Sequence, residues 1–222
     1  MVRFGTAPDA AIKMKKTILF TSSLKPTCFD DLCLSDDNIN ALRKMYETDN
    51  LMNLIFYGRT GVGKTSAALL LASERTSFHI NGSAFNKDYY DELIKGLSAV
   101  SFDGYLKRII IDEADSMTHS SQERLRYDIE KYCSADGSSR FVMTTNDVSG
   151  LSDAIRSRCY AICFDPVRSE YDSIVERLIH RYQVKLADYR IPEAVIRTAI
   201  RNCFPDMRRI ANELQMSHLK AA

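Results

Sequence analysis

The chain has 222 residues, of which 45% are hydrophobic and 27% are charged. This composition is typical of a globular protein with a sizeable core, folded as one large domain or two small ones. The formal net charge of +1 excludes binding to nucleic acid through an overall positive field, so such binding would need local basic patches. No apolar stretch approaches the roughly 20 residues that cross a bilayer, and the N-terminus lacks a signal-like apolar core. We therefore expect a cytoplasmic protein without a membrane partner.

The six cysteines are scattered without any C-x-x-C pair, and the four histidines lie far apart in the sequence. This spacing argues against a zinc site and against a disulfide framework. Reduced thiols, as in the cytosol, are the expected state.

The start of the chain contains three lysines and shows no clear hydrophobic period. We predict a flexible arm over residues 1–23, with a DNA-contacting tail as the alternative. From Leu24 onward the pattern indicates packed structure, and Ser35 is the expected N-cap region of a helix over residues 38–46.

A glycine-rich loop follows the first predicted strand, the apolar run at residues 51–57. Residues 58–65 match the phosphate-loop pattern G-x-x-x-x-G-K-[ST] at every required position. Glycines suit this loop because its backbone N–H groups must turn inward around a triphosphate, and Cβ atoms would obstruct that shape. Lys64 would contact the β- and γ-phosphates, and Thr65 would offer its hydroxyl to Mg²⁺ at the start of a helix. The residues predicted to bind ATP are Gly58, Arg59, Thr60, Gly61, Val62, Gly63, Lys64, Thr65 and Ser66.

Strands and helices alternate after this loop. The further predicted strands cover residues 77–81, 107–113, 140–146 and 159–164, and the predicted helices cover residues 65–73, 88–99 and 120–132. This alternation predicts an α/β fold with a mainly parallel, five-stranded sheet that is covered on both faces. Ligands are then expected at the carboxyl ends of the strands.

Beyond Asp165-Pro166 the hydrophobic spacing is helical only, with predicted helices over residues 169–184, 192–202 and 205–217. We predict a small helical lid joined to the nucleotide-binding domain at Pro166. The expected domains are a flexible arm over residues 1–23, a nucleotide-binding α/β domain over residues 24–166 and the lid over residues 167–222.

Two adjacent carboxylates end the predicted strand at residues 107–113. Asp112 at the strand tip can hold Mg²⁺ directly or through water, and Glu113 can polarise the water that attacks the γ-phosphate. Asp115 is either structural or close to the metal's outer shell. A surface turn without catalytic function is the alternative interpretation of this segment.

Four further motifs accompany the phosphate loop: Asp112-Glu113-Ala114-Asp115, Thr145-Asn146, Ser157-Arg158-Cys159 and Pro205-Asp206-Met207-Arg208-Arg209. The combination resembles the AAA+ ATPase subunits of sliding-clamp loaders, which are replication factor C-like. The resemblance is strongest to the large ATPase subunit of tailed-phage clamp loaders and covers residues 24–215. It implies an AAA+ P-loop domain with a helical lid and an ATPase that depends on Mg²⁺.

The resemblance also implies roles for three polar residues. Asn146 matches sensor 1, which can hydrogen-bond the attacking water or the γ-phosphate. Arg158 matches the arginine finger, which enters the site of a neighbouring subunit. Arg208 matches sensor 2, which reaches the γ-phosphate from the lid. From the residues alone, these would be a polar strand cap, a surface arginine and a solvated helix charge.

Contacts to DNA are implied for the helix after the carboxylates. Gln122 and Arg126 lie four residues apart, on one face of that helix, and match family positions that relay between DNA and the catalytic glutamate. Lys87 could contact DNA phosphates from the loop after the second strand. An amphipathic helix with solvated charges is the alternative.

The sequence departs from the family pattern in two places. Leu24-Lys25-Pro26 stands where relatives usually have Tyr-Arg-Pro, which puts adenine and lid contacts there in question. The chain also ends at Ala222, soon after the sensor 2 helix, so we expect it to lack the helical collar that joins five subunits in this family.

The expected function is that of an ATP-hydrolysing motor subunit that opens a sliding clamp and loads it at primer–template junctions during DNA replication. The expected partners are the clamp, primer–template DNA and other clamp-loader subunits in a ring that is pentameric in the family. For a phage-encoded protein, the location would be the host cytoplasm. The alternatives are another AAA+ DNA motor, such as a helicase loader or branch-migration motor, and an assembly subunit that binds ATP with little hydrolysis.

Overall fold

The computed structural model of the chain describes residues 19–85, 87–98, 105–133 and 139–221. The strands are β1 Leu54–Tyr57, β2 Ser77–Asn81, β3 Lys107–Asp112, β4 Ser139–Thr145 and β5 Tyr160–Cys163. The α-helices are α1 Phe20–Ser23, α2 Asp36–Glu47, α3 Lys64–Ala72, α4 Lys87–Ser98, α5 His119–Tyr132, α6 Asp153–Arg156, α7 Tyr171–Lys185, α8 Glu193–Cys203 and α9 Met207–Ala221. Short 3-10 turns lie at Phe29–Asp31, Gly82–Ala84, Ala114–Ser116, Val148–Gly150, Arg168–Glu170 and Ala187–Tyr189. Within these described stretches, no helix is both long enough and apolar enough to cross a membrane.

The strands form one parallel sheet in the order β2-β3-β4-β1-β5. The prediction of a five-stranded parallel sheet is therefore confirmed for the described residues. β4 lies between β1, which leads into the phosphate loop, and β3, which ends in the carboxylates. The three segments with predicted chemistry thus meet at one edge of the sheet, at the carboxyl ends of neighbouring strands.

Both faces of the sheet are covered, as the near-continuous apolar strands require. On β1, Leu54 and Phe56 belong to a core that α2 and α3 close with residues such as Leu42 and Leu71. Ile55, which points to the opposite face, packs in a second core with α4, α5 and α6. The helices on both faces hold the strand ends in fixed positions.

The lid has its own core, built from α7, α8 and α9. Phe20 and Leu24 are buried in that core, and the backbone N–H of Phe20 donates to Oε1 of Gln215 at 2.9 Å. The prediction that the flexible arm extends through Ser23 is therefore wrong for residues 20–23, because α1 packs on α9. Residues 1–18 of the predicted arm lie outside the described residues.

Three cations on one face of α7 attach the lid to the segment before α2. Arg177, Arg181 and Lys185 follow one another at intervals of four residues, which places them on one side of the helix. Arg177 donates to Leu34 O at 2.6 Å, and Arg181 donates to Asp31 O at 2.6 Å. The Asp31 carboxylate accepts from Lys185 at 2.8 Å and pairs with Arg181 Nε at 3.1 Å.

Asp31 is therefore the acidic centre of this attachment. Burial by itself would raise the pKa of Asp31, but the hydrogen bonds from Lys185 and Thr27 and the charge of Arg181 outweigh burial and lower it. A carboxyl group whose pKa is lower in the folded state stabilises the fold above its unfolded pKa of about 3.9. That contribution is lost as the pH falls through the folded pKa.

We expect Asp31→Asn to lower the free energy of unfolding by about 1–3 kcal/mol at neutral pH, because the variant leaves the cations of Arg181 and Lys185 without their carboxylate. The difference from wild type should shrink below about pH 4, where the wild-type carboxyl group also becomes protonated. Urea unfolding across this pH range measures it. Asp30→Asn, which removes the exposed partner of Arg43, is the matched control and should change stability by less than about 1 kcal/mol. An Asp31→Asn effect independent of pH would contradict this assignment.

Candidate functional site

A cleft of about 200 Å³ lies between the carboxyl edge of the sheet and the lid. The loop before α3 forms its floor, the ends of β3 and β4 form one wall, and α9 with the segment around Leu24 forms the other. The lining residues include Thr60, Gly61, Val62, Gly63, Lys64, Thr65, Ser66, Asp112, Glu113, Thr144, Thr145, Asn146, Met207 and Arg208. Most of the residues predicted to bind ATP and Mg²⁺ therefore surround one cavity.

The loop has the backbone shape that glycine allows. Gly58, Gly61 and Gly63 have φ values of 140°, 84° and 100°, which other residues rarely adopt. A Cβ on Gly61 would lie 2.1 Å from Oδ1 of Asp206, so the lid also approaches the loop too closely for a side chain. These glycines therefore give the loop a conformation that residues with a Cβ rarely adopt, as a phosphate-binding loop requires.

Lys64 is buried at the centre of the loop. Its ammonium donates to the carbonyl oxygens of Gly58 at 2.6 Å and Arg59 at 2.8 Å, and to Oδ1 of Asn146 at 3.0 Å. Burial lowers the pKa of Lys64, and nearby carboxylates, with Asp165 the largest contributor, oppose this shift. The lysine thus connects the loop after β1 with the end of β4.

Gly58 and Arg59 stand at the entrance to the loop and are not among the residues that line the cleft. The backbone N–H and Nε of Arg59 both donate to Oδ1 of Asp165, each at 3.1 Å. Asp165, which follows β5, therefore fixes the first half of the loop. In the sequence, Asp165 is recognisable only as part of the boundary between the two domains.

The two residues predicted to hold Mg²⁺ are in direct contact. The hydroxyl of Thr65 donates to Oδ1 of Asp112 at 2.8 Å, and the hydroxyl of Thr144 donates to the same oxygen. One hydroxyl and one carboxylate at the edge of a phosphate loop are oxygen ligands of the kind that Mg²⁺ prefers. The donor set therefore fits the predicted metal, and Thr144 orients it.

Glu113 lies beside Asp112 in a left-handed backbone conformation, with φ of 53°. Its backbone N–H donates to the hydroxyl of Thr144 at 3.1 Å, and its carboxylate accepts from Nδ2 of Asn81 at 3.2 Å. The amide oxygen of Asn81 in turn accepts from the backbone N–H of Ser83 at 2.9 Å. Asn81, at the end of β2, therefore controls where the Glu113 carboxylate points, a contact that the sequence motif did not reveal.

Asn146 follows β4 and reaches into the cleft. Besides its contact with Lys64, Oδ1 of Asn146 accepts from the Thr60 hydroxyl at 3.4 Å. Its backbone N–H donates to Oδ2 of Asp115 at 3.2 Å. Asp115 thus has a positioning role in this structure, because it holds the turn that carries Asn146.

Arg208 enters the cleft from the first turn of α9. Oδ1 of Asp206 accepts from the backbone N–H groups of Arg208 and Arg209, both at 3.0 Å, and so caps this helix. The backbone N–H of Met207 donates to the carbonyl oxygen of Gly61 at 3.0 Å. The lid helix is therefore bonded directly to the phosphate loop.

Arg158 has its partners outside the cleft. Its Nη1 donates to Ala154 O at 2.6 Å and to the Ser157 hydroxyl at 3.2 Å, and its Nη2 pairs with Glu130 on α5. Among the described residues that line the cleft, Arg158 does not occur. This placement is compatible with an arginine that serves a neighbouring subunit, which stays a prediction.

The residues predicted to contact DNA differ in their surroundings. Gln122 is only 6% exposed, donates to Gly150 O at 3.0 Å and accepts from the backbone N–H of Ser152 at 2.8 Å. The buried amide of Gln122 joins α5 to the segment after β4, and its predicted role as a relay between DNA and Glu113 stays a prediction. Arg126 is partly exposed on α5, while the side chain of Lys87 lies outside the described part of the chain.

Leu24-Lys25-Pro26 lines the cleft opposite the sheet, despite its departure from the family pattern. The backbone oxygen of Leu24 accepts from Arg181 of α7. These three residues therefore lie between the cavity and the lid, although they differ from the family pattern.

Comparisons with known proteins identify the family and the relatives of this chain. The sequence model of the ATPase family associated with various cellular activities (AAA) matches residues 54–166. Replication factor C small subunit 2 of Pyrobaculum islandicum is 30% identical over 203 residues, which is 87% of this chain and 61% of that protein. Replication factor C subunit 5 of Homo sapiens is 31% identical over 221 residues, or 95% of this chain and 63% of that protein. The chain thus spans less than two thirds of the length of these relatives.

Among solved structures, the RuvB Holliday junction branch migration motor of Thermotoga maritima superimposes with a TM-score of 0.69 at 20% identity, over 87% of this chain and 64% of that one. At that identity the likeness concerns the fold. The matched family model covers more than half of the chain, and the cleft contains the glycine-rich loop with Lys64 and the contact between Thr65 and Asp112. The chain therefore belongs to the AAA family of ATPases.

Proposed function

We propose that this protein is the ATP-hydrolysing motor subunit of a DNA polymerase sliding-clamp loader. The main support is the convergence of Lys64, Thr65, Asp112, Glu113 and Asn146 on one cleft in a chain whose curated relatives are replication factor C subunits. The partners that we propose are the sliding clamp, primer–template DNA and other loader subunits, in a ring that is pentameric. A cytoplasmic location and a phage origin close to tailed-phage loaders are part of the same proposal.

The loop and its neighbours bind the substrate in this proposal. The backbone of residues 58–65 surrounds the phosphates of ATP, and Lys64 supplies a positive charge at their centre. Thr65 and Asp112 hold Mg²⁺, which neutralises charge on the β- and γ-phosphates when it is bound. Thr144 keeps Asp112 in place from the neighbouring strand.

Hydrolysis requires a water molecule directed at the γ-phosphate. Glu113 accepts a proton from that water, and Asn146 orients the water or the phosphate by a hydrogen bond. Arg208 contacts the phosphate from the lid, and Arg158 of an adjacent subunit stabilises the charge that develops in the transition state. The direct hydrogen bond between Met207 and Gly61 links the state of the loop to the lid.

Lys64→Ala should abolish ATP binding, because it removes the cation of the loop, whereas Glu113→Gln should bind ATP normally and lose turnover by about 10²–10⁴-fold. Calorimetry with ATP and Mg²⁺, combined with phosphate release, separates the two effects. Lys44→Ala on the exposed side of α2 is the control and should change neither. Equal ATP affinity of wild type and Lys64→Ala would remove the basis for the site.

Asn81→Ala should raise the basal ATPase rate, because it releases the Glu113 carboxylate from the hydrogen bond that diverts it from water. A net bond of about 1 kcal/mol corresponds to roughly a fivefold change in rate. Steady-state phosphate release by the assembled protein is the measurement. Ser83→Ala, which keeps the backbone bond to Asn81, should behave as wild type. A rate that falls in Asn81→Ala would mean that Asn81 supports catalysis instead.

Primer–template DNA should raise the ATPase rate of the assembled complex, and Arg126→Ala should reduce that stimulation. Arg126 lies on α5, which also carries Gln122 and therefore connects to the segment after β4. Binding through DNA phosphates should weaken steeply as salt increases. Arg201→Ala, an exposed arginine of the lid helix α8, is the control for lost surface charge.

Capture of the protein on an immobilised sliding clamp, with and without ATP, separates a clamp loader from another AAA DNA motor. A clamp loader should be retained when ATP is present. An ATPase that responds to DNA without any retention by a clamp would favour a helicase loader or a branch-migration motor.

A further inference from the structure

A carboxylate on α5 is shared by two arginines that have separate proposed roles. Oε1 of Glu130 accepts from Nη1 of Arg126 at 3.3 Å, and the same oxygen accepts from Nη2 of Arg158. Arg126 also pairs with Glu123 at 3.3 Å, one turn earlier on the helix. Glu130 thus connects α5 with Arg158, which follows α6.

The guanidinium of Arg158 is held by three residues at once. Ala154 O and the Ser157 hydroxyl accept from Nη1, and Glu130 accepts from Nη2. An arginine has five N–H donors, so with the described residues these three bonds leave two donors, one on Nη2 and one on Nε. Two donors are enough for a forked contact with two oxygens of one phosphate.

Of the three acceptors, only Glu130 comes from a different helix. Ala154 and Ser157 lie within four residues of Arg158 and move with it. Glu130, in contrast, binds the guanidinium of Arg158 to α5. The orientation of Arg158 relative to the body of the domain therefore depends on this carboxylate.

We propose that Glu130 is a positioning residue for Arg158, which it holds in the orientation needed to reach ATP bound by an adjacent subunit. The inference deepens the proposed function and rests on it, because it assumes that Arg158 acts in a neighbouring site. Misplacement of a reacting group by about 1 Å can cost 10²-fold in rate, so a residue of this kind acts on turnover and leaves nucleotide affinity unchanged.

A purely structural role for Glu130 is disfavoured by its surroundings. Its side chain is 43% exposed, and exposed ion pairs contribute little to stability. The hydrogen bond from Arg158 is the largest cause that lowers the pKa of Glu130, so the carboxylate stays charged at neutral pH.

The test uses mixed assemblies of two inactive full-length variants. Glu113→Gln subunits have an intact finger and no turnover, and Arg158→Ala subunits have an intact cleft and no finger. Mixing them should restore ATP hydrolysis at interfaces where an intact finger meets an intact cleft. Glu130→Ala is then added either to the Glu113→Gln subunit, called the finger donor, or to the Arg158→Ala subunit, called the cleft donor. The kcat and KM for ATP are measured at saturating protein concentration.

Glu130→Ala in the finger donor should lower the restored kcat by about 10-fold to 100-fold without a change in KM. The same substitution in the cleft donor should have no effect, because that subunit already lacks Arg158. Glu130→Gln in the finger donor should recover part of the rate, since it keeps an oxygen acceptor in the same place. Glu123→Ala, which removes a carboxylate that contacts Arg126 and not Arg158, is the matched control and should leave kcat intact.

The positioning role would be overturned if Glu130→Ala had the same effect in the finger donor and in the cleft donor, or no effect in either. A higher rate with Glu130→Ala in the finger donor would also overturn it. The proposed function would stand in each of these cases. Failure of the parent mixture to recover any activity would overturn the finger in trans, and this inference with it. Thermal unfolding of each variant establishes that a loss of rate does not reflect a loss of fold.

Discussion

The register of three parallel strands is the constraint on which the cleft depends. β1 lies opposite β4 from the pair Leu54 and Val142 onward, and β3 lies opposite β4 from the pair Lys107 and Ser139 onward. A shift of one residue in the pairing of β3 with β4 would turn alternate side chains to the other face of the sheet. The hydroxyl of Thr144 could then no longer contact both Asp112 and the backbone of Glu113.

The residues around the loop are also joined to one another by a chain of hydrogen bonds. Lys64 bonds to Asn146, Asn146 bonds to Asp115, and Asp115 belongs to the turn that follows Glu113. Because each of these groups is polar, misplacement of one would leave another without its hydrogen-bond partner. Such networks favour a single arrangement of the site.

Much of this architecture could be predicted from the sequence, because it depends on local patterns. The phosphate loop is a fixed spacing of glycines after an apolar run, and the alternation of strands and helices indicates a parallel sheet. The first strand begins at Leu54 rather than at residue 51, since the side chain of Asn53 takes the place of a backbone partner for Phe141. A buried apolar residue before a strand, such as Leu51, does not reveal where the ladder starts.

The contacts that sequence analysis missed all join distant parts of the chain. Asn81 and Thr144 each depend on a strand neighbour whose register no local pattern gives. Phe20 looked like part of a lysine-containing arm because its partner Gln215 lies 195 residues away. Gln122 has the spacing of a surface residue, yet its amide is buried against Gly150, which only the path of the chain after β4 makes possible.

The chain passes at two places between the lid core and the sheet core that contains Leu54 and Phe56, called the sheet core below. Leu32 and Leu34 pack in the sheet core while Cys33 between them packs in the lid core, and the second passage follows Phe164 of the sheet core. If the sheet domain and the lid each move as a unit, two connections leave them mainly one relative motion. That motion is a rotation about the line through the two connections. α1 and Leu24 move with the lid in such a rotation. The wall of the cleft that faces the sheet would then rotate as a unit about two backbone hinges. The hydrogen bond from Met207 to Gly61 lies away from both hinges, so it resists this rotation and holds the cleft closed.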